Sequence, residues 1–424
     1  MPRPPARVLL FALVAVAAIA YAVWDNARDE APAPLPPEAS GGGSGPRERT
    51  SFLARMIPPE AADRRSGAGR APRNVGELAR RLPLERKVAQ LFVWGFEGQD
   101  LTDPIYERLR ALDLGGILIR SRNYLGPAQL AAQSGEAVVI SQQEGHVPPW
   151  VFASQEGAEF SSFPDLPPSG APADYETPEG AAAAAGEAAD ALRPLGVTAL
   201  LGPVLDVGTE DGGAVGARAF ADEAEAVAAY GRDVIEEYAE AGVLAAPKHF
   251  PGLGAANQDT AAGPASVGLT VDELGRRDLV PFRAAVRAGT PALTIGHGLY
   301  ATDDFVTPAS LSPTIADELL RGRLRFRGVA VTDDLAAPAV TAVMSVPDAA
   351  VAALDAGADQ LVISGPLGEQ EAAYTAVLNA VRRGDVSVRQ VDVAVTRILS
   401  AKRDLGLIAE DRAAAPAQGA QPGP

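Results

Sequence analysis

Two places in the chain put charge directly behind a short apolar run: Lys248-His249 after Val243–Ala246, and Asp333-Asp334 after Gly328–Thr332. Other short apolar runs end in a similar way, at Ser154-Gln155-Glu156, at Asp206 and at His297. Carboxylates, an ammonium and imidazoles at such positions offer acid–base and charge chemistry. Thiolate nucleophiles, cysteine-based zinc sites and disulfide frameworks are excluded, because the chain has no cysteine. Three histidines in 424 residues leave no His-rich metal centre. The formal net charge of −17 argues against binding a nucleic-acid backbone, which calls for a surplus of lysine and arginine.

Side chains of this kind need a scaffold to bring them together. Eight apolar or β-branched runs read as strands: Leu91–Phe96, Gly116–Ile119, Trp150–Ala153, Thr198–Leu205, Val243–Ala246, Ala292–Gly296, Gly328–Thr332 and Gln360–Ile363. Helical stretches lie between them. Ala221–Ala241 is rich in Ala and Glu, with apolar residues at helical spacing. Thr270 and Glu273 have the spacing of a capping box, and Gly289 ends the stretch that follows. Ser312-Pro313 opens another helix, and Val346–Ala356 and Glu369–Arg383 follow the last strands. Continuous apolar strands alternating with helices imply an α/β fold with a parallel sheet. Eight such units in roughly 330 residues fit a single (β/α)8 TIM barrel, whose site lies at the C-terminal ends of its strands. A doubly wound sheet is the rival, but no G-x-G-x-x-G follows the first strand, so its dinucleotide-binding form is disfavoured.

The two ends read differently. Arg3 and Arg7 precede an uncharged run from Val8 to Trp24, the order of a signal sequence or membrane anchor over residues 1–25. That orientation puts the rest of the chain outside the cytoplasm, either secreted or anchored to the membrane through its N-terminus. Residues 26–73 contain APAPLPPEASGGGSGP and read as a linker. The folded part is expected at 74–410, and 411–424 reads as a low-complexity tail.

The residues at the strand ends also carry a family pattern. Lys248 to Gly252 reads KHFPG, and Val331 to Leu335 reads VTDDL after Arg327-Gly328. GGILIRSRN (Gly115–Asn123), GPVLDV (Gly202–Val207) and LSPTIADELLRGRLRFRG (Leu311–Gly328) accompany them. Together these resemble glycoside hydrolase family 3, in its single-barrel β-N-acetylhexosaminidase branch, over nearly all of Val75 to Leu407. The resemblance implies a retaining exo-glycosidase that forms a covalent glycosyl-enzyme and needs neither metal nor cofactor. It implies a carbohydrate substrate, with N-acetylhexosamine and peptidoglycan fragments as the expectation, and a monomer. By position, Asp333 is implied as the nucleophile and Asp334 as its structural neighbour. A carboxylate suits that role, since it attacks the anomeric carbon and leaves as a stabilised ion. Lys248 and His249 match family residues that hydrogen-bond sugar hydroxyls, and Arg218 matches an arginine that contacts the sugar. His297 matches a histidine near the site, with a structural hydrogen-bonding role equally open. Asp206 could tie loops together or touch substrate.

Two motifs depart from the pattern. The family's acid/base histidine lies in a GHGDTxxDSH text after KHFPG, and here the loop reads GLGAANQDTA, Gly252 to Ala261. Asp259 aligns with the aspartate of the family's dyad, while Ala261 takes the place of the histidine. On strand three the family's DQEGGR reads SQEGAE, so Ser154 replaces a sugar-gripping aspartate and Glu159 an arginine. A serine can bond a hydroxyl, but less strongly than a carboxylate. Three functions stay open: a glycosidase whose acid is Asp259 or Glu156, a hydrolysis-deficient sugar- or cell-wall-binding barrel, or an enzyme of activated glycosides or non-water acceptors. A carboxyl serving as acid near neutrality needs a raised pKa. Of the remaining residues, Trp94 and Trp150 read as packing, His146 as a surface residue, and Phe160 and Phe163 as candidates to line the pocket.

Overall fold

All eight apolar runs form strands in the computed structural model, which describes residues 73–408 apart from Thr302. They are β1 (Phe92–Gly95), β2 (Gly116–Leu118), β3 (Trp150–Ala153), β4 (Ala199–Leu200), β5 (Leu244–Ala245), β7 (Ala292–Ile295), β9 (Val329–Thr332) and β10 (Leu361–Ile363). Two short strands were not expected from the sequence, β6 (Ser266–Val267) and β8 (Leu299–Tyr300). The expected signal sequence or anchor (1–25), the expected linker (26–73) except Arg73, which opens the first helix, and the expected tail (411–424) lie outside the described residues. Among the described residues no helix is long and apolar enough to cross a membrane.

Every regular pairing is parallel. One sheet runs β10-β1-β2-β3-β4-β5, a second pairs β7 with β9, and β6 pairs with β8. Isolated parallel bridges join Phe250 to Ile295 and Val331 to Gln360. The sheet is therefore a parallel α/β sheet whose regular ladders do not by themselves form a closed ring. The expected fourth strand, Thr198–Leu205, is cut to two residues. Pro203 has no N–H to give a ladder, and beyond it only Val204 bridges, to Lys248.

The strand residues are buried on both faces, as a parallel sheet covered by helices requires. The covering helices are α1 (Arg73–Arg81), α2 (Leu84–Gln90), α3 (Pro104–Ala111), α4 (Pro127–Glu144), α5 (Pro178–Leu192), α6 (Ala224–Glu240), α7 (Val271–Arg276), α8 (Leu279–Ala288), α9 (Pro338–Thr341), α10 (Val346–Ala356), α11 (Leu367–Arg383) and α12 (Val388–Asp404). Thr270 caps α7 through the expected box with Glu273. Gly289 ends α8 at φ 86°, where a side chain would be strained. The stretch opened by Ser312-Pro313 is a π-helix over Thr314–Arg323. Trp94 and Trp150 are wholly buried in this core, as their packing role requires. His146 is half-buried and its Nδ1 donates to the Leu109 carbonyl at 3.1 Å, so it ties α3 to the chain before β3 instead of facing solvent freely.

Candidate active site

Parallel strands deliver their C-terminal ends to one edge of the sheet, and the charged residues sit there. Asp333 follows β9, and Lys248 and His249 follow β5. His249 Nδ1 donates to Asp206 at 2.6 Å, and its Nε2 stands 3.8 Å from the Asp333 carboxylate. Asp206 is fully buried and also accepts from the backbone N–H groups of His249 (3.2 Å) and Leu253 (2.7 Å). Asp206 thus fixes the imidazole tautomer, with Nδ1 protonated and Nε2 turned toward Asp333. It ties loops and orients His249. The Lys248–His249 and Phe250–Pro251 peptides are both cis.

Asp333 keeps 22% of its side chain exposed, enough to meet a ligand. Burial alone would raise its pKa, but His249, His297, Lys248 and a backbone hydrogen bond outweigh burial and hold the carboxyl well below the usual carboxylate range. Asp333 is therefore ionised at neutral pH. Asp334 faces the protein instead: it accepts from Arg120, from the Ser364 hydroxyl and amide, and from the Ala336 amide. Arg120 follows the second strand, within the GGILIRSRN text.

His297 does not reach outward. It is fully buried; Nε2 donates to the Asp334 carbonyl at 2.9 Å, and Nδ1 meets the Ser310 hydroxyl at 2.8 Å. Burial pushes its pKa down, against the pull of the Asp333 and Asp334 carboxylates. Both ring nitrogens are occupied by the protein, so of the two roles left open, contact with the sugar or structural hydrogen bonding, the structure carries the second: His297 positions the Asp333-Asp334 turn.

A second cluster lies beside the first. Glu156, after β3, receives Arg218 through two bonds of 2.7 and 3.0 Å and Lys248 at 2.7 Å. Burial would raise its pKa, yet the two cations and their hydrogen bonds bring it down to about 2. An acid at neutral pH needs the opposite shift, so Glu156 is an anchor for two cations and not a proton donor. Arg218 also reaches Asp259 at 3.4 Å and lies 6.0 Å from the Phe160 ring centroid. Phe163, in contrast, is core and packs on Tyr124 at 4.9 Å. Ser154 is half-buried; its amide binds the Ser162 hydroxyl at 3.3 Å, and its carbonyl accepts from the Ser162 amide at 2.7 Å.

The loop with the missing histidine is folded in place. Ala256 bridges Val267 of β6, and the Thr260 carbonyl accepts from the Ala339 amide at 3.2 Å, in the helix that follows Asp333. Asp259 exposes 38% of its side chain and accepts from the Ala261 amide at 2.8 Å. Ala261 itself is exposed. Asp333, His249, Lys248, Glu156, Arg218 and Asp259 therefore form one connected set.

Comparison with known proteins places this arrangement. Residues 83–401 match the family model "Glycosyl hydrolase family 3 N terminal domain". A β-hexosaminidase of Stenotrophomonas maltophilia is 32% identical over 282 residues, covering 64% of this chain and 82% of that protein. An uncharacterised secreted glycosyl hydrolase of Arthroderma benhamiae is 29% identical over 327 residues, covering 75% of this chain and 92% of that protein. The structure is similar to a family 3 β-N-acetylglucosaminidase from Paenibacillus sp., with a TM-score of 0.75 and 32% identity, over 80% of this chain and 65% of that one. It is also similar to a β-N-acetylhexosaminidase from Beutenbergia cavernae, with a TM-score of 0.70 and 28% identity, over 76% of this chain and 99% of that one.

Proposed function

The chain belongs to glycosyl hydrolase family 3 and is a glycoside hydrolase; from that premise we propose that it removes terminal β-linked N-acetylhexosamine by a retaining mechanism outside the cytoplasm. The strand ladders and their two linking bridges support a closed (β/α)8 barrel with the site at its C-terminal mouth. The observation that carries the reading is Asp333: ionised, partly open, and backed at 3.8 Å by an imidazole that Asp206 orients.

In the first step an Asp333 oxygen attacks the anomeric carbon as the bond to the leaving oxygen breaks, giving a glycosyl ester. The leaving oxygen takes a proton. In the second step water attacks the same carbon, gives up a proton, and Asp333 departs as carboxylate. Lys248, Arg218, His249 and Ser154 hold sugar hydroxyls, with Glu156 fixing the two cations. For the proton we assign Asp259. Its loop is tied to the segment after Asp333, and its carboxyl is partly open. Arg218 reaches Asp259 at 3.4 Å and no imidazole stands at position 261, so leaving groups that need little protonation react fastest.

A specific observation favours a second reading, a barrel that binds sugar without hydrolysing it: Glu156 is held ionised and Asp259 already has a cationic partner. Aryl β-glycosides of N-acetylglucosamine and glucose, with good and poor leaving groups, separate the two. Turnover of both leaving groups, lost in Asp333→Asn and reduced for poor leaving groups in Asp259→Asn, is expected. Turnover of good leaving groups alone would remove Asp259 from the mechanism. Sugar binding with no turnover of any substrate would establish the second reading.

A further inference from the structure

Many arginines of this acidic chain stand beside a carboxylate, as at Arg86–Asp113, Arg218–Glu156 and Arg397–Asp359. The turn between the π-helix and β9 differs. Its text is Arg323-Leu324-Arg325-Phe326-Arg327-Gly328. Leu324 and Phe326 are buried, at 3% and 2% exposure, and the Arg321 guanidinium lies 5.1 Å from the Phe326 ring centroid. Asp359 pairs with both Arg321 and Arg397. Leu324 and Phe326 turn in, Arg325 and Arg327 are exposed, and Arg323, the last residue of the π-helix, is half-buried. None of these three forms an ion pair with a described residue.

Arg325 has φ 56°, in the left-handed region where glycine is at ease and a longer side chain is strained. A charge is thus kept where the backbone favours glycine, and such strain clusters at functional positions. The turn precedes β9 while Asp333 follows it, so the three charges lie at the opposite edge of the sheet from the candidate site.

We propose that this arginine turn docks on an anionic phospholipid surface, its guanidiniums meeting headgroup phosphates. Charge complementarity selects the occupant: such a surface repels a chain of net charge −17 in general and attracts this turn. Guanidiniums match phosphate oxygens in pairs. The apolar residues of the turn are buried, so the contact is electrostatic, reversible and salt-sensitive. Docked in this way, the protein holds its site away from the lipid. The inference is independent of the hydrolytic reading.

The test uses the full chain with vesicles of phosphatidylcholine, with and without phosphatidylglycerol, in co-sedimentation at low and high salt. The apolar run Val8–Trp24 is present in every arm, so only the part that depends on phosphatidylglycerol is read. That part is expected to fall about fivefold for each arginine removed, in Arg323→Gln, Arg325→Gly and Arg327→Gln and their combination, and to weaken in salt. Arg325→Gly is expected to melt no lower than the natural protein, which separates lost docking from lost folding. Equal binding to both vesicle types, or an unchanged increment in the triple variant, overturns the proposal. So does a triple variant that changes only the oligomeric state, since the turn would then be a contact between copies.

Discussion

Replacing Glu156 by glutamine keeps the side chain's size and removes the charge that Lys248 and Arg218 share. The side chain of Glu156 is 4% exposed, so solvent screens little of the interaction. Its carboxyl stands at about 2 in the folded protein against an ordinary 4.5, because the two cations and their hydrogen bonds outweigh burial. A displacement of that size corresponds to about 3 kcal/mol of stability at neutral pH. Removing one partner from a buried ionic cluster costs about 3–5 kcal/mol by an independent argument, so the two agree. The sign follows from linkage. The folded carboxyl is the stronger acid, so its contribution is complete above about pH 4.5 and is lost as pH falls toward 2. Urea unfolding of the natural protein and Glu156→Gln should show a gap of about 3 kcal/mol at neutral pH that narrows across that window. The Michaelis constant should rise as well, because Lys248 and Arg218 lose their common anchor. No gap at neutral pH, or a gap of constant size down to pH 2, would refute the claim that Glu156 stabilises the site through its charge.

Asp333→Asn should lower turnover of an activated aryl glycoside by at least about a thousandfold in a variant that still folds by circular dichroism, and should melt below the natural protein, because the groups that hold its carboxyl ionised lose their anion; comparable activity in the folded variant removes Asp333 from the nucleophile's role. Ala158 has φ 47°, a conformation that costs a non-glycine residue roughly 1 kcal/mol, so Ala158→Gly should raise the melting temperature by about 2 °C in calorimetry. Lys402 is fully buried with Gln90 Oε1 at 3.0 Å and the Trp150 ring centroid at 5.9 Å, and burial pushes its pKa from 10.5 down to about 7. The unfolded chain holds that proton more tightly, so stability is lowest below about pH 7 and rises toward pH 10.5, by on the order of 5 kcal/mol. Lys402→Met should flatten this rise in denaturation measured across the same range.

The strands were legible because each is a short apolar run closed by a polar turn, and burial on both faces of a parallel sheet writes that pattern directly. β6 and β8 were not. Ser266–Val267 and Leu299–Tyr300 are two residues each, too short to show a period, and they exist because the two loops pair with each other. The site residues at strand ends were visible for the same reason as the strands, and Asp206, Lys248, His249 and Asp333 do converge. His297 was placed at the right strand end, but its role stayed open between substrate and structure. Its partners, Ser310 and the Asp334 carbonyl, lie 13 and 37 residues away along the chain. No local pattern reports what a ring nitrogen meets across such separations. Glu156 failed as a candidate acid on similar grounds: its pKa is set by Lys248 and Arg218, which reach it from loops later in the chain.

The two halves of the proposed mechanism rest on different kinds of structure, and this has a measurable consequence. Around Asp333 each group is held by several bonds, buried or partly buried: Asp206 by three donors, His297 at both nitrogens, Asp334 by four donors. Residue identity there is fixed by the fold as much as by chemistry. Ala261 sits in the opposite situation. It is exposed, and its backbone, not its side chain, carries the contact to Asp259. A residue in that setting can change with little effect on stability, typically within about 0.5 kcal/mol. Ala261→His should therefore unfold at nearly the same urea concentration as the natural protein while accelerating turnover of glycosides with poor leaving groups. A stable variant with no such gain would mean that the loop, as held by Thr260 and Val267, does not bring position 261 to the leaving oxygen. A variant that unfolds early would mean that the loop tolerates less than its exposure implies, and the separation between scaffold and chemistry would fail.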